Sequence, residues 1–212
     1  RELTAHKADV SATTKVQDLA SFAKEEQERL IAERGLQGRG GRAGEGRGPQ
    51  GPQVAGVNRQ YNYTELVAYW GGMSALHLAA RQGYSDVAAA LLDAGADVNQ
   101  RTTGDQSTPL LVAIINGHFD LAKQLLDKGA NPNLAQSNNG VTPLYAALNC
   151  EWSDKALYPQ PRAFEQQKTT YLDLMQALLD KGADPNARLT RKVWYAQYDF
   201  DQSGVDETGA TP

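Results

Sequence analysis

The 212-residue sequence contains one cysteine, two methionines and three histidines, and these scarcities restrict its class of structure. Because Cys150 is the single cysteine, the fold cannot rest on internal disulfides, and cysteine usage does not indicate a redox compartment. No apolar run approaches the roughly 20 residues that a membrane-spanning helix requires. With 21 basic and 25 acidic side chains, the net charge of −4 argues against a strongly basic nucleic-acid-binding protein and favours solubility.

The signatures of catalytic and metal sites are also missing. The sequence has no Gly-x-Ser-x-Gly motif or phosphate-binding loop, and neither His77 nor His118 has a second ligand at metal-binding spacing. Residues 199–204 resemble the start of a calcium loop, but Ala210 stands at the twelfth position, where a bidentate glutamate is needed. We therefore predict a protein that is not an enzyme and holds no cofactor and no metal.

What the sequence does contain is an internal repeat. An opening phrase occurs at residues 74–76, 108–110 and 142–144, with steps of 34 residues. A closing phrase, Gly-Ala-Asp/Asn-x-Asn, begins at residues 95, 129 and 182, so the third unit holds about 19 extra residues. A period in this range indicates a solenoid, in which each unit buries its apolar face against a neighbour.

Each phrase predicts a local structure. The Thr-Pro of the opening phrase supplies a capping hydroxyl and a fixed φ at the first helical position, so a helix should begin there. Asn116-Gly117 should end that helix, because glycine adopts the left-handed conformation of a helix exit. A second helix is predicted from Asp120 to Lys128, with its leucines in one buried stripe. Each unit is therefore a helix-turn-helix followed by a polar turn.

These phrases resemble the ankyrin repeat. Residues 74–80, Ser-Ala-Leu-His-Leu-Ala-Ala, are similar to the family phrase Thr-Pro-Leu-His-x-Ala-Ala, and residues 117–120 and 182–186 match two further family phrases. The resemblance implies an all-α ankyrin-repeat solenoid of stacked helix-turn-helix units with β-hairpin-like loops. It also implies partner binding on the loop tips and the concave helix face, and structural hydrogen bonds from His77 to neighbouring backbone.

Laid on this pattern, the chain divides into repeats and insertions. The loop composition of residues 35–60, rich in Gly, Arg, Pro and Gln, predicts disorder because it cannot bury enough apolar surface. The irregular insertions resemble those of several bacterial ankyrin proteins, and we expect a fragment of a longer bacterial chain. The predicted units are 1–11, the tail of a preceding repeat; 12–70, an insertion with a helix at about 15–34 and a disordered linker at about 35–60; repeats 71–103, 104–137 and 138–187, the last with an inserted loop 150–169; and 188–212, an extended finger and the start of a further repeat.

Aromatic and arginine side chains on the insertions are the main candidates for partner binding, since these residue types are enriched in interface hot spots. An alternative for the loop aromatics, and for those of residues 61–70, is that they fold back and cover the repeat stack. The candidates are Trp152, Tyr158, Arg162 and Phe164 on the inserted loop, Arg191, Trp194, Tyr195 and Tyr198 on the finger, and Arg101 and Asp105 at an ordinary loop tip.

These features predict a protein–protein interaction scaffold. A stiff scaffold loses little conformational entropy on binding, so a few anchors can set the affinity. One alternative is a structural spacer in a longer repeat array, with insertions that pack intramolecularly. Another is single-stranded RNA binding by the arginines of the linker, although no aromatic is interleaved with them before Tyr61. We expect a monomer without a membrane span whose partner is another protein, in the cytoplasm or the periplasm; no targeting signal is visible.

Overall fold

The computed structural model describes residues 9–19, 21–25, 28–29, 69–152, 162–191, 193 and 208–212. Three helix pairs follow one another along the chain, and the predicted all-α repeat solenoid is confirmed. The helices are α1 (Ala75–Gln82), α2 (Ser85–Asp93), α3 (Pro109–Ile115), α4 (Phe119–Asp127), α5 (Pro143–Trp152) and α6 (Tyr171–Asp180), with a short 3-10 helix at Phe164–Gln166.

The helices begin and end where local chemistry predicts. The Thr108 hydroxyl accepts the Leu111 N–H at 3.2 Å, and Pro109 occupies the first turn, where its missing N–H costs nothing. α3 then ends at Ile115, and Gly117 takes the left-handed conformation with φ 77°. α4 covers the predicted second helix of the middle repeat, shifted one residue toward the N-terminus.

The first helices of the three pairs stack on one another and form the centre of the core. α3 contacts both α1 and α5, and six of its seven residues are buried. The second helices complete the core from the other side, through fully buried Leu125 of α4 and Leu174 and Leu178 of α6. Burial of apolar side chains between neighbouring repeats is therefore the main source of stability.

A recurring turn joins each helix pair to the next. The side chains of Asp97, Asn131 and Asp184 each accept the backbone N–H two residues ahead, at 2.9 Å in all three cases. Asp9 makes the same bond to the Ser11 N–H at 2.8 Å. Such turns are favoured by Asp and Asn because their short side chains reach their own backbone.

Asparagine side chains link each turn to the following repeat. Asn99 donates to the Gly129 carbonyl at 3.2 Å and accepts the Asn131 N–H at 2.7 Å. Asn133 makes the same two bonds one repeat further on, to Gly182 at 2.8 Å and from Asp184 at 2.8 Å. The recurrent asparagine of the closing phrase is therefore an inter-repeat connector.

The long insertion at 12–70 is closed at its base by a strand pair. β1 (Gln17–Asp18) runs antiparallel to β2 (Tyr69–Trp70), with Gln17 opposite Trp70. This differs from the helix predicted from about residue 15: residues 15–16 are not helical, and the helical residues in the described part of that range are 19, 21–25 and 28–29. Residues 17–18 are held as a strand by pairing with residues 69–70. Such a long-range contact leaves no signal in local helical periodicity. The predicted linker at about 35–60 lies outside the described residues.

Candidate functional site

In the described part of the chain, four loops are closed at their bases, and the bases of successive loops adjoin one another. The same backbone hydrogen bond closes each of them, from the first residue's N–H to the last residue's carbonyl, at 2.9 to 3.0 Å. We call these loops together the tip row. The closing pairs are Thr14 with Met73, Thr102 with Ser107, Gln136 with Val141, and Leu189 with Ala210. The insertion at 12–70 and the finger therefore arise from the first and the last loop of the row, whereas the inserted loop 150–169 lies between α5 and α6.

Neighbouring tips are joined through their backbones. The Ser137 N–H donates to the Asp105 carbonyl at 2.9 Å, and the Thr190 N–H donates to the Asn139 carbonyl at 2.9 Å. Gly140, with φ 78°, permits the second contact, because a Cβ there would lie 2.9 Å from the Arg188 carbonyl oxygen. The second, third and fourth loops of the row are consequently held in a fixed register by these hydrogen bonds.

A network of polar side chains fixes the two middle tips from inside. The Asp105 carboxylate accepts the Ser107 hydroxyl at 2.8 Å and the Gln136 amide at 2.9 Å. The same Gln136 amide donates to the Ser107 hydroxyl at 2.7 Å, so a side chain of one loop bridges two side chains of the preceding loop. Ser107 and Gln136 are buried, and hydrogen bonds in such an environment specify one arrangement.

His77 connects this network to the core. Its Nδ1 accepts the Ser74 N–H at 3.2 Å and contacts the Ser74 hydroxyl at 2.8 Å, while Nε2 lies 3.1 Å from the Ser107 carbonyl. The carbonyl can only accept, so this geometry assigns the proton to Nε2. Burial lowers the pKa of His77, and the Ser107 carbonyl and the charge of Asp105 oppose this only partly. The structural role that the family resemblance implied therefore has a specific geometry.

Asp105 is half-buried and takes part in the hydrogen bonds that shape this tip. Its Oδ1 accepts the Ser107 N–H at 3.1 Å, and its Oδ2 accepts the Ser107 hydroxyl and the Gln136 amide. The neighbouring candidate at this tip, Arg101, is exposed to solvent. Of these two sequence-predicted residues, Arg101 is the more exposed.

The described part of the inserted loop packs against the middle repeat. The Phe164 ring stacks on Phe119, with centroids 5.9 Å apart and planes at 25°. Phe119 is 1% exposed, and the backbone of Phe164 also lies directly over Gly117. Aromatic pairs of this kind add about 0.5–1.5 kcal/mol beyond area burial. For Phe164, the geometry corresponds to the packing alternative.

Asp120 anchors the return of the inserted loop. Its carboxylate accepts the N–H groups of Lys168 at 3.1 Å and Thr169 at 2.9 Å, and its own N–H donates to Gln167 at 3.2 Å. Desolvation is the largest single influence and raises the pKa of Asp120, but the hydrogen bonds from Thr169 and Lys168 together outweigh it, so the pKa lies below its usual value.

Arg162 is half-buried at the start of the described loop. Its Nη1 lies 3.5 Å from a carboxylate oxygen of Glu165, and its backbone N–H donates to the same carboxylate at 3.0 Å. The other loop candidates are less defined: Trp152 closes α5, but its side chain lies outside the described residues, as does the whole of Tyr158.

Only the base of the finger is described. Leu189 and Val193 are buried at 3% and 7% exposure, and Arg188 donates to the Gly209 carbonyl at 2.8 Å. Arg191 is half-buried near this base. The predicted aromatic anchors Trp194, Tyr195 and Tyr198 lie outside the described residues. The structure therefore specifies how the finger is attached to the last tip.

Gln136 and Asp120 organise the tip row and the inserted loop, but the local sequence does not mark either as functional, because each bonds to a residue of another segment. One signal was available for the loop: Phe119 is a large aromatic where the first repeat has Ser85. A bulky side chain at that position needs a cover, which Phe164 supplies.

Among the described residues, no group of three His, Cys, Asp or Glu side chains is arranged to hold a metal ion. No described helix has the length and apolar character needed to cross a membrane. The buried thiol of Cys150 belongs to the core between the repeats.

The stacked helix pairs and repeated turns agree with a comparison against known families. A family model described as ankyrin repeats, three copies, matches residues 76–189, which is more than half of the chain. The protein therefore belongs to the ankyrin-repeat family. Ankyrin repeats generally act as protein–protein interaction modules and are typically not enzymes. No curated protein matches the sequence significantly.

Proposed function

We propose that this protein is a scaffold that binds a partner protein through its tip row and through the finger that rises from the last loop. The observation that carries the proposal is the set of backbone hydrogen bonds between neighbouring tips, from Ser137 to Asp105 and from Thr190 to Asn139. Loops that are fixed before binding lose little conformational entropy when a partner arrives.

The anchors of this surface are the exposed Arg101 and, on the finger, Arg191, Trp194, Tyr195 and Tyr198. Arginine, tryptophan and tyrosine are the residue types that dominate interface hot spots. The finger leaves the same edge of the stack that carries the Arg101 tip, since the Leu189–Ala210 pair closes the last loop of the row. A partner lying along this edge would contact both.

Within the inserted loop, we assign Arg162 and Phe164 to positioning rather than to direct contact. The contacts with Glu165 and Phe119 support this assignment, because both side chains already have partners inside the protein. Trp152 and Tyr158 remain candidates for partner contact. Asp105 supports the surface indirectly, by fixing the shape of the tip next to Arg101.

The test is affinity capture from the native cells with three versions of the chain. One is unchanged, one carries Trp194→Ala, Tyr195→Ala and Tyr198→Ala, and the third carries the matched control Tyr84→Ala and Leu172→Ala. The control residues are 59% and 61% exposed and lie on the helix pairs, away from the tips. Circular dichroism must first establish that all three fold alike.

We expect the control to capture the same partner as the unchanged chain and the finger variant to lose it. Equal capture by all three versions would show that the finger aromatics do not contact the partner, and capture by none would favour the structural-spacer alternative. Loss of capture by the control alone would move the binding surface from the tips to the helix faces.

A further inference from the structure

The second loop of the tip row contains an unusual backbone conformation. Among the described residues, Gln106 is the one residue other than glycine with a positive φ, at 62°. This conformation costs free energy for a residue that carries a Cβ. In the other three loops the equivalent position, directly before the closing residue, is a glycine with a φ of 72°, 78° or 85°. These residues are Gly72, Gly140 and Gly209. The second loop therefore keeps a strained residue at a position where glycine would be unstrained.

The side chain of Gln106 also takes the place of a main-chain hydrogen-bond donor. In the three glycine loops, the glycine N–H donates to the carbonyl of the first closing residue at 2.8 to 3.1 Å. These bonds run from Gly72 to Thr14, from Gly140 to Gln136 and from Gly209 to Leu189. In the second loop this carbonyl belongs to Thr102, and it accepts the side-chain amide of Gln106, whose Nε2 lies 3.0 Å away. Gln106 thus closes the second loop with its side chain rather than with its main chain.

The third loop shows that the main-chain bond is compatible with the bond between neighbouring loops. The Asn139 carbonyl accepts the Thr190 N–H of the last loop at 2.9 Å. The N–H at the other end of the same peptide group, that of Gly140, donates to the Gln136 carbonyl at 3.1 Å. One peptide group therefore serves both its own loop and the neighbouring loop.

The second loop has the same arrangement on the carbonyl side of this peptide group. The Asp105 carbonyl accepts the Ser137 N–H of the third loop at 2.9 Å. The Gln106 N–H, at the other end of the peptide group, can therefore replace the side-chain amide on the Thr102 carbonyl while the bond to Ser137 is kept. The amide of Gln106 can then turn outward without a net loss of hydrogen bonds in the loop.

The position of Gln106 places this amide on the candidate binding surface. Gln106 is partly exposed, and its bonding partner Thr102 directly follows the exposed Arg101. Strained residues cluster at binding sites, where the surrounding structure holds them. The fold has a less strained solution for this position, because the other three loops use glycine. Loop closure alone therefore does not explain the strain at Gln106.

We propose that Gln106 is a partner contact: its side-chain amide closes the second loop in the free protein and turns to the partner on binding, when its own N–H takes over the closure. An amide both donates and accepts, so it fits a group that does the same, a main-chain peptide unit of the partner. The inference rests on the proposed function, because it places a further contact beside Arg101 on the tip row.

The first measurement uses the full 212-residue chain without a partner. Gln106→Gly removes the amide and the strain, and it leaves the main-chain N–H to close the loop as in the other three. We expect its urea midpoint to equal or exceed that of the unchanged chain, and amide hydrogen exchange at Thr102 to stay as slow. A lower midpoint, or faster exchange at Thr102, would mean that closure needs the side-chain bond and would overturn the exchange of donors.

The second measurement is quantitative affinity capture from the native cells. It compares the unchanged chain with Gln106→Gly, Arg101→Ala and the control Gln124→Ala, at an exposed glutamine of α4 outside the tip row. Loss of one amide contact should weaken partner binding by Gln106→Gly about two- to tenfold. The control Gln124→Ala should bind as the unchanged chain does.

The Arg101 variant separates failure of this inference from failure of the proposed function. Reduced capture by Arg101→Ala together with full capture by Gln106→Gly would keep the tip row as the binding surface and overturn the role of Gln106. Full capture by both variants, or no partner captured by the unchanged chain, would overturn the proposed binding at the second loop as well. Weaker capture by Gln106→Gly at an unlowered urea midpoint is the result expected for a direct contact.

Discussion

Replacing His77 by leucine removes the hydrogen bonds that join α1 to the first short tip while keeping the position filled. The chain itself supplies the precedent, because Leu111 occupies the equivalent position of the middle repeat and is fully buried. The change deprives the buried Ser74 N–H of its acceptor and the Ser107 carbonyl of one of its donors. Ser107 retains the Thr102 N–H at 2.9 Å, so the loop remains closed.

The expected cost follows from these contacts. A buried donor left without an acceptor costs about 1–3 kcal/mol, and the volume-conserving exchange adds less than a cavity would. We therefore expect His77→Leu to lower the free energy of unfolding by about 1–3 kcal/mol at pH 7.5. Urea denaturation followed by circular dichroism measures this difference directly.

The pH dependence gives a second readout. Because burial lowers the pKa of His77, the unfolded chain binds more protons than the native chain between that pKa and the unfolded value of about 6.5. Its contribution to stability is fully present above pH 6.5 and is lost as the pH falls toward the folded pKa. The destabilisation by His77→Leu should thus shrink between pH 7.5 and pH 5. An unchanged urea midpoint at pH 7.5, together with an unchanged pH slope, would refute the structural role of His77.

Three further changes test the inserted loop and the linker. Phe164→Ala should lower the free energy of unfolding, measured by urea denaturation, by about 1–3 kcal/mol, because Phe164 is only partly buried. The control Phe22→Ala, at a phenylalanine that is 49% exposed, should change this free energy little. Equal effects of the two substitutions would contradict the stacking of Phe164 on Phe119. Asp120→Ala should speed limited proteolysis of the inserted loop at neutral pH. Because hydrogen bonding lowers the pKa of Asp120, the cleavage rate of the wild-type chain should approach that of the variant as the pH falls below about 4. Identical cleavage rates at neutral pH would show that the carboxylate is not an anchor. Deleting residues 36–53 should leave single-stranded RNA titrations unchanged under the scaffold account, whereas loss of a steeply salt-dependent affinity would support the RNA-binding alternative.

Local sequence was sufficient for the helix pairs because their limits depend on neighbouring residues. Thr108 caps a helix through a bond to Leu111, three residues away, and Gly117 ends it through its own backbone conformation. The repeat spacing then placed equivalent residues in the same environment. These signals made the ankyrin pattern, and hence the stack, recognisable from the sequence alone.

The candidate site was harder to predict because its contacts cross between units. Asp105 was proposed as a partner contact, but Gln136, 31 positions later, takes part of its carboxylate. Phe164 is predicted as a partner contact because it is an aromatic residue on an insertion, but its stacking partner lies 45 positions earlier. An aromatic residue on an insertion has the same composition signal whether it faces solvent or a neighbouring repeat. Only the packing of the adjacent unit distinguishes the two.

The most direct test of the scaffold account asks which surface touches the partner. A photo-crosslinking amino acid is placed at Arg101 on the tip row and, as matched controls, at the exposed Lys123 of α4 and Gln176 of α6. Each labelled chain is irradiated in the native cells, and crosslinked proteins are identified by mass. The account predicts one recurrent partner crosslinked from position 101 and absent from positions 123 and 176. Crosslinks from the helix positions alone, or none at position 101, would contradict the assignment of the tip row as the binding surface.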